Sequence, residues 1–273
     1  MSEVNKKFPV FIIGCPRSGT SALSWAIAQH PGFSTSAESD FLHHLFGSGK
    51  LHAAFKESVD RSDEGWLKKH GVGYKEFCRH MGVGIDQLFR SRYQGRNWVD
   101  STPGHTLMAD ALAYMFPEAK FINIIRDGRA VVSSMLKSGF EKMGFGMEWT
   151  QDFEAACKAW VHYVEKGHEF TTGNAERSIN IINENMIADP EQAFRDIFVH
   201  LDTDYCEAAA TFISKKRLNS SYDAGIKTVV SVESTVRAEP WQEWTDEQRK
   251  MFDEICGETM HQIYLPLKSA ETR

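Results

Sequence analysis

The sequence lacks an apolar run near the ~20 residues that a membrane-spanning helix needs, and its start, MSEVNKK, contains no apolar leader segment. It also lacks an excess of basic residues, because 31 Lys and Arg stand against 37 Asp and Glu, a formal net charge of −6. This balance provides no general attraction to nucleic acid or to an anionic membrane. We therefore expect no nucleic-acid partner and no membrane partner, and any site for an anion must be local.

Cysteine is sparse and scattered, and the sequence has no C-x-x-C pair of the kind found in zinc sites or redox dithiols. The five cysteines are Cys15, Cys78, Cys157, Cys206 and Cys256. An odd number of widely spaced thiols is typical of a reducing compartment, so we expect a cytoplasmic protein. The sequence also has no set of His, Asp and Glu with metal-ligand spacing, and it predicts no metal site.

What is present is the pattern of an α/β protein. The 273 residues, 42% hydrophobic and 25% charged, are predicted to form a single domain over 1–273. Four apolar runs are predicted strands: PVFIIG ending at Gly14, NWVD at 97–100, KFINIIRD at 120–127 and SINIIN at 178–183. Helical patterns such as HTLMADALAYMF lie between them, which predicts a central parallel β-sheet flanked by helices.

Two segments interrupt this alternation. Residues 41–96 have a helical pattern with many His, Lys and Gly and no good strand, so we interpret them as an insertion over the sheet. Residues 215–240 turn polar and serine-rich, which predicts a long loop before a final helix over about 245–263. Loops of this length are usually functional or mobile.

The segment GCPRSGTS at 14–21 follows the first strand and leads into a helix, as a phosphate-binding loop does. A Walker A loop, G-x-x-x-x-G-K-[ST], would have lysine where this chain has Thr20. Arg17 lies inside the loop and offers a planar cation suited to phosphate or sulfate oxygens. The alternative is a glycine-rich turn with a surface arginine.

A second arginine, Arg126, ends the strand in KFINIIRDGRAVVSS and precedes an Asp-Gly turn and a helix. Because ligands of open α/β sheets bind at the carboxyl ends of strands, Arg126 and Arg17 are predicted to lie on the same rim. Ser133 and Ser134 point about 100° apart on the following helix, so at most one of them faces the ligand. The alternative for Arg126 is an ion pair with Asp127 or a helix cap.

Together, PRSGTS, FPEAKFINIIRDGRAVVSS and NENMIADPEQAFRDIF resemble the sulfotransferases that use 3′-phosphoadenylyl sulfate (PAPS), especially the bacterial branch close to tyrosylprotein sulfotransferases. The resemblance is dense over 8–40 and 97–200, weak over 41–96 and loose after 215. It implies a P-loop-like three-layer α/β domain, with 41–96 on the acceptor side and 215–240 over the donor. It also implies sulfuryl transfer from PAPS to a hydroxyl of a small-molecule, sugar or peptide acceptor, with adenosine 3′,5′-bisphosphate (PAP) as the second product.

The same resemblance implies which residues hold the donor. The 5′-phosphosulfate would be held by the loop residues Arg17, Ser18, Gly19, Thr20 and Ser21. The 3′-phosphate would be held by Arg126 and Ser134, and Arg237 and Trp241 in the late loop are further candidates on the donor side. No metal is implied, because this donor has no metal-bridged β- and γ-phosphate pair and so does not require the Walker lysine.

Transfer to a hydroxyl requires a base for the acceptor proton. Glu38 lies twenty-one residues after Arg17, where the resembling branch has its catalytic glutamate. The alternative for Glu38 is a carboxylate at a helix N-terminus. His43 and His44 are rival bases because the pKa of histidine lies nearer neutrality. His105 either reaches the site or lies at the start of a helix.

Two positions depart from the family. Ser101 stands where relatives have a lysine that contacts the transferring sulfate, so Arg17 covers the loss or Arg237 or Lys137 supplies the charge. Asn183 replaces the family's usual tyrosine, so adenine stacking must come from elsewhere. Two other functions therefore stay open. One is a nucleotide or small-molecule kinase, which would need magnesium ligands and the Walker lysine; the other is a protein that binds PAPS or PAP without turnover, which the Ser101 departure favours.

Overall fold

The structure, a computed structural model, describes residues 7–47, 49–137, 152–218, 229–231 and 239–270. Five parallel strands form its central sheet: β1 (Val10–Gly14), β2 (Phe33–Thr35), β3 (Asn97–Asp100), β4 (Lys120–Ile125) and β5 (Ser178–Ile182). Their order is β2-β3-β1-β4-β5. In register, Val10 of β1 lies opposite Val99 of β3 and Lys120 of β4.

Helices connect these strands and cover both faces of the sheet. In chain order they are α1 (Thr20–Ile27), α2 (Asp40–Phe46), α3 (Lys50–Asp60), α4 (Trp66–Lys69), α5 (Tyr74–Arg92), α6 (Ala109–Met115), α7 (Gly128–Leu136), α8 (Phe153–Gly173), α9 (Asn183–Ala188), α10 (Pro190–His200), α11 (Glu207–Lys215), α12 (Asp246–Thr259) and α13 (Leu265–Ala270). Short 3₁₀ segments occupy Pro103–Met108, Ala175–Arg177 and Pro240–Glu243, and a π-helical segment, Met260–Tyr264, joins α12 to α13.

The two faces of β1 are buried in different clusters. Val10 and Ile12 pack with residues of α1, α10 and α11. Phe11 and Ile13 point the other way, into a cluster with residues of α5, α6 and α8. Because successive side chains of a strand point to opposite faces, this near-continuous apolar run is buried on both sides. The three-layer arrangement with a central parallel sheet confirms the predicted fold.

Strand order also positions the site. The chain leaves β1 and reaches β2 and β3 on one side of it, then β4 and β5 on the other. In open α/β sheets such a reversal marks the switch point, where ligands bind at the carboxyl ends of the strands. The loop that follows Gly14 therefore lies at the switch point.

Three details differ from the sequence prediction. Strand β2 was not predicted, because three residues are too short to show an alternating pattern. Within 215–240, predicted as a loop, Lys216–Leu218 and Val229–Ser231 pair as antiparallel strands, β6 and β7, consistent with the β-branched pair in TVVS. The fourth predicted strand ends at Ile182, because Asn183 begins α9.

The described residues of 41–96 form α3 to α5 and all of α2 except its first residue, and they form no strand. None of the described helices is long and apolar enough to cross a membrane.

Candidate functional site

The loop between β1 and α1 depends on two glycines with positive φ. Gly14 has a φ of +150°, and a Cβ there would lie 2.4 Å from the carbonyl oxygen of Ile124 on β4. Gly19, at the N-cap of α1, has a φ of +101°, and its Cβ would lie 2.6 Å from the side-chain nitrogen of Asn183. Both glycines allow a close approach of backbone that other residues would block. They allow the loop to pack against β4 and Asn183 before α1 begins.

Thr106 fixes the start of this loop. Its hydroxyl accepts a hydrogen bond from the backbone nitrogen of Gly14 at 2.8 Å and donates to the carbonyl oxygen of Gly14 at 3.0 Å. Thr106 lies in the 3₁₀ segment after β3, ninety-two residues from Gly14. A buried threonine in a short helical segment gives no sequence signal for such a contact.

Arg17 and Arg126 are brought together, as the shared-rim prediction requires. Nη1 of Arg126 donates to the carbonyl oxygen of Arg17 at 2.9 Å, and Nε of Arg17 donates to Oγ of Ser134 at 3.1 Å. Arg17 has a φ of +71°, an uncommon conformation for a non-glycine residue that is found at functional turns. The two motifs thus form one cationic surface around the loop.

The carboxylate of Asp127 forms its ion pair with Arg129. Its carboxylate accepts from Nε of Arg129 at 2.9 Å and from the backbone nitrogen of Arg129, which caps α7. The backbone nitrogen of Asp127 donates to Oε1 of Glu184 at 3.1 Å. The ion pair named as the alternative for Arg126 is therefore made by Arg129, whose guanidinium also lies 4.7 Å from the ring centre of Trp241.

The hydroxyl residues of the two motifs take different positions. Ser134 contacts Arg17, whereas Ser133 is buried, and its hydroxyl has no hydrogen-bond partner among the described residues. Ser18 is also buried, and its hydroxyl likewise has no hydrogen-bond partner among the residues that the structure describes. Thr20 is buried at the start of α1, and Ser21 is half-buried beside it.

Glu38 lies between β2 and α2, half-buried, with its charge close to Arg17. Burial lowers the pKa of Arg17, and the negative charge of Glu38 opposes that shift. Because α2 begins at Asp40, the first helical turn carries Asp40 and not Glu38. Glu38 directly precedes the N-cap residue Ser39, so the helix N-terminal alternative for Glu38 stays open.

The rival histidines lie further along α2. The ring of His43 packs against Gly104, where an added Cβ would lie 2.7 Å from Nδ1 of His43, and His44 is exposed. His105 is fully buried in the 3₁₀ segment after β3, with Nδ1 3.6 Å from Oδ1 of Asp100. Burial lowers the pKa of His105, which favours the neutral ring.

The two departures from the family have structural partners. The hydroxyl of Ser101 is buried and donates to Oγ of Ser24 on α1 at 3.2 Å. Asn183 is buried against Gly19, a position that sequence reasoning did not foresee. Lys137 pairs with Glu243 at 3.3 Å, and Arg237 lies outside the described residues. Among the described residues, no group of three His, Cys, Asp or Glu could hold a metal ion.

Comparison with known proteins gives the family. The profile described as "Sulfotransferase family" matches residues 9–207. A protein-tyrosine sulfotransferase of Drosophila melanogaster is 24% identical over 241 residues, which cover 82% of this chain and 46% of that protein. Protein-tyrosine sulfotransferase 1 of Danio rerio is 24% identical over 236 residues, 82% of this chain and 64% of that protein. This chain therefore spans about half to two thirds of the length of these relatives.

A solved structure shows a similar fold. The sulfotransferase domain from the curacin biosynthetic pathway has a TM-score of 0.57 at 15% identity, covering 91% of this chain and 98% of that domain. At this identity the likeness concerns the fold alone. The profile match, however, extends over more than half of the chain and includes the loop, both arginines and Glu38, so the chain belongs to the sulfotransferase family.

Proposed function

We propose that this chain transfers a sulfuryl group from PAPS to a hydroxyl acceptor. The observation that carries the proposal is the junction of the two motifs, in which Arg126 donates to the backbone of Arg17 across 109 residues of chain. Family membership supports the reaction, since sulfotransferases share this chemistry. The proposed site consists of Arg17, Ser18, Gly19, Thr20, Ser21, Arg126 and Ser134 around the donor, with Glu38 as the base.

The residues at the loop fit an anionic donor. The loop leads into the N-terminus of α1, where backbone N–H groups and the helix dipole favour negative charge. The hydroxyl of Ser18, buried without a partner among the described residues, is an available donor. Arg17 and Arg126 supply cations in two places, which suits a ligand with separate 5′- and 3′-anionic groups.

In the proposed reaction the acceptor oxygen forms a bond to sulfur, and the bond from sulfur to the phosphate oxygen breaks. PAPS supplies the activated sulfuryl group and a stable leaving phosphate. Glu38 takes the acceptor proton, and Arg17 stabilises the negative charge that develops between sulfur and phosphate. The proximity of Glu38 to Arg17 supports this division of roles, because base and cation must meet at the transferring group.

Two candidate functions are separated by specific observations. A kinase is disfavoured by Thr20 at the Walker lysine position. Binding of PAPS or PAP without turnover is favoured by Ser101, whose buried hydroxyl brings no charge. Neither Thr20 nor Ser101 indicates which acceptor is used. Because the Drosophila melanogaster and Danio rerio relatives are protein-tyrosine sulfotransferases, a peptide tyrosine is the first acceptor class to test, followed by phenols and sugars.

The test is turnover of labelled PAPS by the purified chain with a panel of these acceptors. Label in one acceptor class, with release of PAP, is the expected result. Calorimetry that shows binding of PAP but not ATP separates the proposal from a kinase. Consumption of ATP without label transfer from PAPS overturns it, and PAP binding without turnover of any acceptor favours the binding protein.

We also propose a cytoplasmic location, which the free, scattered cysteines support. Fractionation of cells that produce the protein tests it: recovery with soluble cytoplasmic markers is expected, and recovery with a secreted or membrane fraction contradicts it.

A further inference from the structure

Ser39 occupies the N-cap position of α2 but does not cap the helix. Serine is common at this position because its oxygen accepts a hydrogen bond from the second or third backbone nitrogen of the helix. The side chain of Ser39 makes no such bond. Its hydroxyl instead donates to Oδ2 of Asp100, sixty-one residues away, and both side chains are buried. The residue directly after Glu38 is thus joined to the central sheet.

Asp100 is held independently of this contact. It is the last residue of β3, and its Oδ1 accepts from the backbone nitrogen of Thr102 at 2.9 Å and from the hydroxyl of Thr102 at 2.8 Å. His105 lies on the same side, 3.6 Å from Oδ1. Oδ1 is therefore occupied by the turn that follows β3, and Oδ2 is directed at Ser39.

A second link holds the same segment on the other side of Glu38. The hydroxyl of Thr35, three residues before Glu38, donates to the carbonyl oxygen of Val99 at 3.0 Å. Val99 and Asp100 are consecutive residues of β3, so both ends of segment 35–39 are attached to one strand. A short segment attached at both ends has few conformations, which restricts where the Glu38 carboxylate points.

We propose that Ser39 and Asp100 are positioning residues for Glu38, and that their hydrogen bond sets the direction of its carboxylate toward the acceptor oxygen. This inference rests on the proposed function, in which Glu38 is the base. The link joins the end of β3 to the residue before α2, whereas the proposed donor residues lie on the β1–α1 loop, after β4 and in α7. Loss of the bond should therefore lower kcat and leave the affinity for PAP unchanged.

The test compares Ser39→Ala, Ser39→Thr and Ser36→Ala. Ser39→Ala removes the donor without removing a helix cap, and a displaced base should cost about ten- to a hundredfold in kcat. Ser39→Thr keeps the hydroxyl and should restore most of the rate. Ser36→Ala is the matched control: Ser36 lies only two residues before the base, but its hydroxyl bonds to Tyr93 at 2.7 Å rather than to β3.

A double-mutant cycle separates positioning from a general loss of structure. If Ser39 acts through Glu38, Ser39→Ala should lower kcat in the wild-type background and have almost no effect in the Glu38→Gln background. PAP affinity and melting temperature are measured for every variant. Equal losses in both backgrounds, or a wild-type rate for Ser39→Ala, would overturn the inference while the proposed function stands. Failure of the wild-type chain to turn over any acceptor overturns the proposed function and this inference with it.

Discussion

Arg126 donates a hydrogen bond from Nη1 to the backbone carbonyl oxygen of Arg17, over 2.9 Å. The guanidinium of Arg17 in turn donates to Ser134, which follows Arg126 in the second motif. Each arginine is therefore oriented by a residue of the other motif. Arg17 holds a positive φ of 71° in this arrangement. A side chain that bonds to this carbonyl offsets part of the cost of such a conformation, which is of order 1–3 kcal/mol. Arg126 is thus positioned both to bind an anion and to shape the loop beside it.

The first prediction concerns the 3′-phosphate. Arg126→Ala should remove a charge-assisted contact worth about 1.5–3 kcal/mol and weaken PAP binding about ten- to a hundredfold. Arg126→Lys keeps the charge and should lose less. Arg92→Ala, an exposed arginine on α5, serves as the control. Calorimetry with PAP decides the result, and unchanged affinity for Arg126→Ala would assign the second motif a structural role.

The second prediction concerns the base. Glu38→Gln keeps the shape of the side chain but loses its proton affinity, so kcat should fall at least about a hundredfold with PAP affinity within a few fold of wild type. His43→Ala and His44→Ala should each cost much less. Steady-state kinetics and PAP calorimetry are measured on the three variants. A large loss in a histidine variant, with Glu38→Gln still active, would transfer the role of base to that histidine.

The third prediction concerns metal dependence. In the proposed scheme Arg17 and the N-terminus of α1 stabilise the transferring group, so excess EDTA should leave the rate of sulfuryl transfer unchanged. A kinase would stop under the same conditions, because its magnesium ions bridge the phosphates. A magnesium-requiring kinase assayed in parallel confirms that the chelator acts. An activity that EDTA abolishes and that consumes ATP would contradict the scheme.

The fourth prediction concerns the charge missing at Ser101. The hydroxyl of Ser101 bonds to Ser24 and brings no charge, so either Arg17 alone replaces the missing lysine or a second cation does, and the second case is the one tested. A crystal structure with bound PAP is expected to show a second Arg or Lys near the 5′-phosphate besides Arg17. Neutral groups alone at this place, together with no turnover of any acceptor, would favour the donor-binding protein.

The fifth prediction concerns stability in acid. Burial, followed by the charge of Lys120, lowers the pKa of His200 from 6.5 to about 4. Because the unfolded chain takes up this proton at a higher pH than the folded chain, stability is full above pH 6.5 and declines as the pH falls toward 4. The decline attributable to His200 should be about 1–2 kcal/mol, since partial exposure reduces the limit of ~3 kcal/mol that the full shift would give.

Urea unfolding between pH 7 and pH 4 measures this decline. His200→Gln should flatten the dependence of unfolding free energy on pH, because the amide has no proton to gain. His261→Gln, a substitution at an exposed histidine, is measured in parallel for comparison. Equal slopes for wild type and His200→Gln would refute the assignment.

The strands and the loop could be predicted because their signals are local. The apolar run before Gly14 and the spacing of Gly14, Arg17 and Gly19 lie within ten consecutive residues, and the order of strands and helices places their carboxyl ends on one rim. Arg126 could be placed for the same reason, because it ends a strand. These features depend on backbone conformation and periodicity, which short stretches of sequence record.

The contacts that orient the site could not be predicted. The hydrogen bonds between Thr106 and Gly14 and between Ser39 and Asp100 each join residues more than sixty positions apart. They are made by short polar side chains, which are common throughout the chain. The place of Asn183 against Gly19 was missed because the family's tyrosine suggested a stacking role instead. Such pairings depend on how the elements pack, and a single sequence does not record packing.

The separation of these contacts along the chain has a consequence for how the protein is made. During synthesis the phosphate loop emerges long before its partners, because Arg126 is 109 residues from Arg17 and Ser134 is 117. Contacts between residues distant in sequence form slowly, because closing the long loop between them costs conformational entropy. The nascent loop therefore has the sequence of an anion site without its geometry until β4 and α7 have been added, and ligand affinity should appear late in folding rather than with the first strand.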